Sequence, residues 1–209
     1  MAVITAITPQ VKDKTRCNIE IDGRFYCGMK LETVMQNRLK AGIVVTPEEL
    51  SRMQLESEKQ TALDKALHYI TVSMKTEREI RKYLEKKGYL QDVSDYVVEK
   101  MKGYGFLDDA AYSAAYVGSA SKRKGRRLIA AELRRKGVSD EEISGAIEGI
   151  EGEEESAKRI LEKYLRGKTV DRKALQKAYA YLIGKGFEYD TARAALQSFG
   201  GEDDEDRID

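Results

Sequence analysis

Chemistry at neutral pH needs side chains that trade protons, attack carbon or phosphorus, or hold a metal, and this sequence offers few of them in usable groupings. Its single histidine, His68, lies in "ALHYITV". On a helix between apolar neighbours it reads as a partly buried structural residue. The cysteines Cys17 and Cys27 flank "IEIDGRFY". If Asp22-Gly23 forms a two-residue hairpin turn, Asn18 faces Cys27 and Cys17 faces Gly28. The thiols then point to opposite faces of the hairpin, so two free, reduced cysteines are expected. Two thiols are also too few ligands for a metal site. There is no Cys/His cluster, no Gly-x-Ser-x-Gly elbow, no dinucleotide fingerprint, no GxxxxGK[ST] phosphate loop and no HExxH. Paired acids occur at Asp108-Asp109, Asp140 to Glu142 and Glu153 to Glu155. All sit where helices begin, and there a carboxylate stabilises the helix dipole by about 0.3–1 kcal/mol. The pattern supplies no catalytic residues and calls for no cofactor and no metal, so the chain reads as a non-enzyme.

The densest charge is "KRKGRRLIAAELRRK", Lys122 to Lys136, with eight basic residues against one acid, Glu132. Ile129 and Leu133, one turn apart, mark its buried stripe. Arg127 and Arg134, two turns apart, share a different and exposed stripe, and Arg135 also points away from Ile129. One reading is a solvated helix face. The other is a docking patch for phosphates or an acidic protein groove, formed by Lys122, Arg123, Lys124, Arg126, Arg127, Arg134 and Arg135. No aromatic residue lies inside the run, so base stacking is not suggested there.

The elements that must position this patch follow from a repeat. Lys-Gly recurs at Lys87-Gly88, Lys136-Gly137 and Lys185-Gly186, and the glycines fall 49 residues apart each time. At the same period Leu63, Tyr112 and Leu161 align, as do Leu84, Leu133 and Leu182, then Tyr89, Val138 and Phe187, and then Met101, Ile150 and Phe199. All are apolar. Each period holds three helical stretches. "TERE" from Thr76 and "SDEE" from Ser139 are capping boxes that fix helix starts. The second helix ends in Lys and then Gly, a left-handed C-cap beside the negative end of the dipole. The aliphatic or aromatic residue after the glycine folds back onto the helix. Lys-Gly is therefore punctuation. Single units of this size bury only a thin core, so tandem stacking is expected.

Before the repeats, "AVITAI", "RCNIEI" and "RFYCGM" read as three antiparallel strands. "LETVMQNRLKAG" reads as a short helix stopped at Gly42. "TPEEL" starts the next helix with Thr46 as cap, Pro47 first and Glu49 closing a capping box, and it runs towards Ala62. The fold class is mainly α: tandem three-helix units in an elongated curved array, with a small N-terminal antiparallel β-sheet. The expected domains are 1–58, an N-terminal extension; 59–107, 108–150 and 151–199, three repeats; and 200–209, a disordered acidic tail. That tail carries a charge of −5, so a total of +1 leaves +6 for the rest. Apolar residues make up 41% and charged residues 35%, which suits a folded protein rather than a disordered one. No apolar run approaches the roughly 18 residues of a membrane span. No basic stretch followed by an apolar one marks a signal peptide, so a cytoplasmic location is expected.

"GYGFLDDAAYSAAYV" followed by "KRKGRRLIAAELRRKGV" resembles the RecX family of recombination regulators. Its pattern falls on Gly105, Phe106, Leu107, Asp108, Asp109, Tyr112, Tyr116 and Val117. It continues through Gly125, Ile129, Glu132-Leu133 and Lys136-Gly137-Val138. The likeness extends through "ALHYITVSMKTEREIRKYLEKKG" and "AYLIGKGFEYDTARAAL", and "IEIDGRFYCGM" is similar to the hairpin extension of many members. Only the acidic tail departs from it. The resemblance implies a protein that binds the RecA recombinase filament, lodges in its groove and limits its ATP hydrolysis, extension and strand exchange, with consequences for recombination and the SOS response; a monomer is expected. It also implies single- or double-stranded DNA as a further partner, and no membrane. A rival reading is a direct DNA-binding regulator that uses its three-helix units like helix-turn-helix modules. A general helical-repeat adaptor is a third.

Overall fold

A computed structural model describes residues 2–199, and the acidic tail expected to be disordered lies outside the described residues. The chain divides after Asp108 into two compact units.

In the first unit, strands β1 (Ala2–Pro9), β2 (Arg16–Ile21) and β3 (Arg24–Lys30) form the expected antiparallel meander. Asp22 and Gly23 both have positive φ, 51° and 73°, as a type I′ hairpin turn requires. A fourth strand, β4 (Val44–Val45), was not foreseen. It pairs with Ala2 and Val3 and gives the order β3-β2-β1-β4. The register also differs from the sequence expectation. Glu20 pairs with Phe25, but Ile19 then pairs with Cys27, because a bulge adds one residue to β3. A one-residue slip moves every later side chain to the other face. Asn18 therefore faces Gly28, and Cys17 faces Met29. Both thiols share one core with Ile4, Ile19, Met29 and Leu50, and both are free.

Burial pushes the Cys27 thiol up from about 9 to about 12, with the nearby Glu58 charge adding to it. Burial likewise lifts the Tyr89 hydroxyl to about 12. Between the unfolded and folded pKa values the native state holds the proton and the unfolded chain loses it. Stability is therefore full below about pH 9 and falls as pH rises from there towards 12. The slope approaches about 1.4 kcal/mol per pH unit for each group. Native protein at pH 8 is expected to leave both cysteines unlabelled by iodoacetamide, with two labels added in denaturant, as intact mass would report. Rapid native labelling would contradict the shared core.

Helix α1 (Leu31–Gln36) ends earlier than expected because Asn37 caps it, its side chain donating to the Thr33 carbonyl. Helix α2 (Pro47–Ile70) begins with the foreseen Thr46–Glu49 capping box. It does not stop near Ala62 but continues as one helix of 24 residues. Its buried stripe recurs every fourth residue at Leu50, Gln54, Glu58, Ala62 and Ala66. Leu50 enters the core under the sheet, while Ala62, Leu63 and Ala66 enter that of the first repeat. His68 faces the other way and is exposed, which corrects its expected partial burial.

The first repeat is completed by α3 (Glu77–Lys86) and α4 (Gln91–Gly103). The second unit holds α5 (Asp109–Ala120), α6 (Arg126–Lys136) and α7 (Asp140–Glu148), then α8 (Glu153–Leu165), α9 (Arg172–Gly184) and α10 (Tyr189–Gln197). The foreseen caps at Thr76 and Ser139 are both reciprocal capping boxes. Each repeat has its own core, and Leu84, Leu133 and Leu182 are fully buried in it. The Lys-Gly corners are Schellman caps in all three repeats. Tyr89, Val138 and Phe187 donate their N–H groups back to the carbonyls of Leu84, Leu133 and Leu182.

Candidate partner-binding surface

Helix α6 carries the basic run, with Gly125 as its N-cap and Ile129, Ala130 and Leu133 as its buried face. The structure separates the seven candidate cations by their partners. Lys124 is tied down. Its ammonium donates to both oxygens of Glu132 at 2.7 Å and lies 5.8 Å from the Tyr116 ring centroid. Those contacts with Glu132 raise the Lys124 pKa. Burial works to raise the Glu132 carboxyl, but bonds from Lys124 and Tyr116 outweigh it and hold it below its usual value. Arg126 is also tied down: its Nε donates at 2.7 Å to Glu153, a nearly buried carboxylate. Arg134 pairs at 2.6 Å with Asp140 in the open, and such pairs contribute little. Arg135 is 73% exposed. Lys122, Arg123 and Arg127 are exposed as well, and Lys122 and Arg123 make no ion pair among the described residues. The basic face is thus Lys122, Arg123, Arg127, Arg134 and Arg135, while Lys124 and Arg126 are both engaged at the start of its helix.

What holds α6 in place was invisible in the sequence. The corner of the third repeat docks onto its first turn. Gly125 donates to the Lys185 carbonyl at 3.0 Å, and Arg127 donates to the Gly186 carbonyl at 3.1 Å. Arg126 donates its backbone N–H to Glu153 at 2.9 Å. Three N–H groups that a helix start usually leaves to water are therefore satisfied by the next repeat. The approach is so close that a Cβ at Gly125 would overlap the Gly186 carbonyl, and one at Gly186 would overlap the Leu128 backbone. The first unit uses its own corner in the same way. Gly28 of β3 donates to the Gly88 carbonyl at 2.9 Å, and a Cβ on Gly88 would lie 2.7 Å from the Gly28 nitrogen. Gln54 seals that joint by donating to the carbonyls of Gly28 and Gly88 and accepting from Leu90 N–H.

Aromatic rings also meet the cations, although none lies within the basic run. Arg127 sits 5.3 Å from the ring centroid of Tyr189, on α10. Each repeat contains a stacked tyrosine pair with a lysine at both ends. Tyr69 stacks on Tyr83 between Lys75 and Lys87. Tyr112 stacks on Tyr116 between Lys136 and Lys124. Tyr164 stacks on Tyr181 between Lys168 and Lys185. The lysine of every Lys-Gly corner is one of these end caps, a contact that contributes about 0.5–1 kcal/mol at an exposed site. The 49-residue spacing of Lys75 and Lys124 was a signal for this that pattern-reading of apolar positions passes over.

Among the described residues no helix is long and apolar enough to cross a membrane, and no group of three or more His, Cys, Asp or Glu residues could hold a metal ion.

Comparison with known proteins follows the same divisions. The RecX N-terminal domain matches residues 2–46, and the first, second and third three-helix domains of RecX match 62–101, 108–147 and 152–196. "Regulatory protein RecX" of Clostridium botulinum is 31% identical over 203 residues, which span 94% of this chain and 96% of that protein. The chain belongs to the RecX family. The RecX of Bacillus licheniformis is 29% identical over 213 residues, covering 98% of this chain and 80% of the relative. A crystal structure of a regulatory protein RecX superposes with a TM-score of 0.62 at 27% identity, over 92% of this chain and 98% of that one. The mainly helical RecX architecture of tandem three-helix units behind a small antiparallel sheet is therefore this chain's fold, and its family is one of regulatory proteins.

Proposed function

We propose that this chain is a non-enzymatic, monomeric, cytoplasmic regulator of homologous recombination and the SOS response. It binds the RecA nucleoprotein filament and lowers its ATPase activity, extension and strand exchange. Membership of the RecX family supports the partner. The observation that supports the mode of binding is the basic face of α6. Lys122, Arg123, Arg127, Arg134 and Arg135 project from a helix whose own start is clamped by the following repeat, so the charges need little ordering on contact. They meet acidic protein surface or nearby phosphates, and steering by such a field speeds encounter.

The first test is the ATPase rate of the cognate recombinase on single-stranded DNA with rising substoichiometric amounts of this protein. A steep fall at low ratios is expected. An unchanged rate with folded protein would sink the reading. The double reversal Arg127→Glu, Arg134→Glu removes no buried contact. It is expected to keep the helical circular dichroism while weakening filament binding by tenfold or more. Unchanged binding would remove the patch from the interface. The second reading, direct recognition of DNA by a three-helix unit, predicts sequence preference on naked duplex and a salt slope that counts phosphate contacts.

A further inference from the structure

The third repeat carries a second basic run, less dense than the one on α6. From Lys163 to Gly186, "KYLRGKTVDRKALQKAYAYLIGKG", seven basic residues stand against one acid, Asp171. That acid is already used, because its carboxylate accepts the Ala174 N–H at 2.7 Å and caps α9. None of the seven pairs with a carboxylate among the described residues. The α6 run differs, since its Lys124, Arg126 and Arg134 all meet acids. On α9 the charges form a stripe. Lys173, Lys177 and Tyr181 follow one another at four-residue steps and are exposed, and Lys185 continues the line at the C-cap. Tyr181 stacks on Tyr164 of α8, and Lys168 lies 3.5 Å from the Tyr164 ring centroid, so the loop between the two helices adds its cation to the same stack.

We infer that this lysine stripe of the third repeat is the seat of the chain's own acidic segment, Glu202 to Asp206. The charges complement each other: the run carries +6, seven bases less one acid, and residues 200–209 carry −5, six acids less one arginine. The segment lies outside the described residues, and in sequence it directly follows the last helix of the same repeat. Ten residues can extend over about 33 Å. Helix α9, with 13 residues, is about 20 Å long, so the segment can span the whole stripe. Exposed ion pairs are individually weak, but a short tether holds the segment at an effective concentration of about millimolar, and several weak contacts then suffice. The tyrosine stack argues for carboxylates over nucleic-acid bases. Lys168 and Lys185 already lie over its two rings, so the face presents ammonium groups and not open rings for stacking. Those two lysines are also held in place by the rings, which lowers the cost of ordering them on contact. A seated segment keeps passing polyanions off a surface that would otherwise take them without regard to sequence.

The test uses the full chain without recombinase, so the filament reading stands or falls separately. Carbodiimide joins carboxylates to lysines that touch them. At low salt it is expected to link the segment Glu202 to Asp206 with Lys168, Lys173, Lys177 or Lys185, as mass spectrometry of a digest would show, and high salt is expected to suppress the links. Links from the segment to other lysines only, or none, would overturn the inference. Neutralising the segment with Glu202→Gln, Asp203→Asn, Asp204→Asn, Glu205→Gln and Asp206→Asn is expected to tighten binding of a labelled oligothymidylate by about fivefold or more. Adding Lys173→Glu and Lys177→Glu is expected to remove that gain. A parent that already binds the strand through Lys173 and Lys177 as tightly as the neutralised variant would make the stripe a nucleic-acid site and overturn the inference as well.

Discussion

Glu58→Ala is expected to destabilise the first unit by about 3–5 kcal/mol, the usual effect of leaving one member of a buried ion pair uncompensated. Glu58 is fully buried on α2, and its partner Arg16, at the start of β2, is 95% covered. One carboxylate oxygen meets the Arg16 guanidinium, and the other accepts the Lys30 backbone N–H at 2.8 Å. Removing the carboxylate strands a buried cation and a buried donor together. The Tyr89 ring, 5.0 Å from the guanidinium carbon, also supports the charge but is too weak to replace the lost partner. A melting temperature lowered by more than 10 °C is expected on the scale for a unit of about 100 residues. The companion variant Arg16→Met, Glu58→Leu is expected to recover most of the loss, because desolvation of the pair nearly cancels its attraction. Equal losses in the single and double variants would show that packing volume, and not charge, decides this site.

Gly186→Ala is expected to cost the second unit about 2–5 kcal/mol. A left-handed conformation at φ 85° costs a side-chain-bearing residue about 1–2 kcal/mol. The new methyl would also overlap the Leu128 backbone, which cannot turn aside as a flexible side chain would. Forced shifts of this kind add about 1–3 kcal/mol. The loss should appear as faster hydrogen exchange at Gly125 and Arg127, whose N–H groups bind this corner. Gly137→Ala carries the same backbone penalty at an exposed corner, so it is expected to lose only about 1–2 kcal/mol. Similar losses at both corners would mean that the joint contributes nothing beyond backbone conformation.

The contrast between these glycines shows how far sequence reading reaches. The period of 49, the capping boxes, the hairpin turn and the apolar positions were legible because each is a local or periodic rule. Leu84, Leu133 and Leu182 could be placed in cores from spacing alone. The docking role of Gly125 and Gly186 was not legible. The same residue type satisfies a cap and a close approach equally well, and only the fold shows which one applies. Gln54 and Glu58 were hidden for a different reason. Polar residues at every fourth position of α2 read as a solvent face, although Leu50, Ala62 and Ala66 on the same stripe were a sign that it is buried. The bulge that moved Cys27 was beyond a rule that counts residues outward from the turn. For the basic run, composition located the helix, but partners decided which charges are available. Lys124 and Arg126 were indistinguishable from Arg127 until Glu132 and Glu153 were placed beside them.

The uninterrupted α2 helix has a consequence for how such a protein can be rearranged over time. Domain shuffling works where a boundary can be cut without leaving an open surface, and tandem repeats are ordinarily easy to duplicate or lose. Here one helix is the floor of the sheet's core at its first turns and a wall of the first repeat's core at its last. No cut between residues 47 and 70 leaves both sides closed. The hairpin and the first repeat are therefore inherited as one block. Loss of the N-terminal sheet in any descendant of this chain would leave Leu50 of α2 and the Gly88 corner of the first repeat to be covered in a new way.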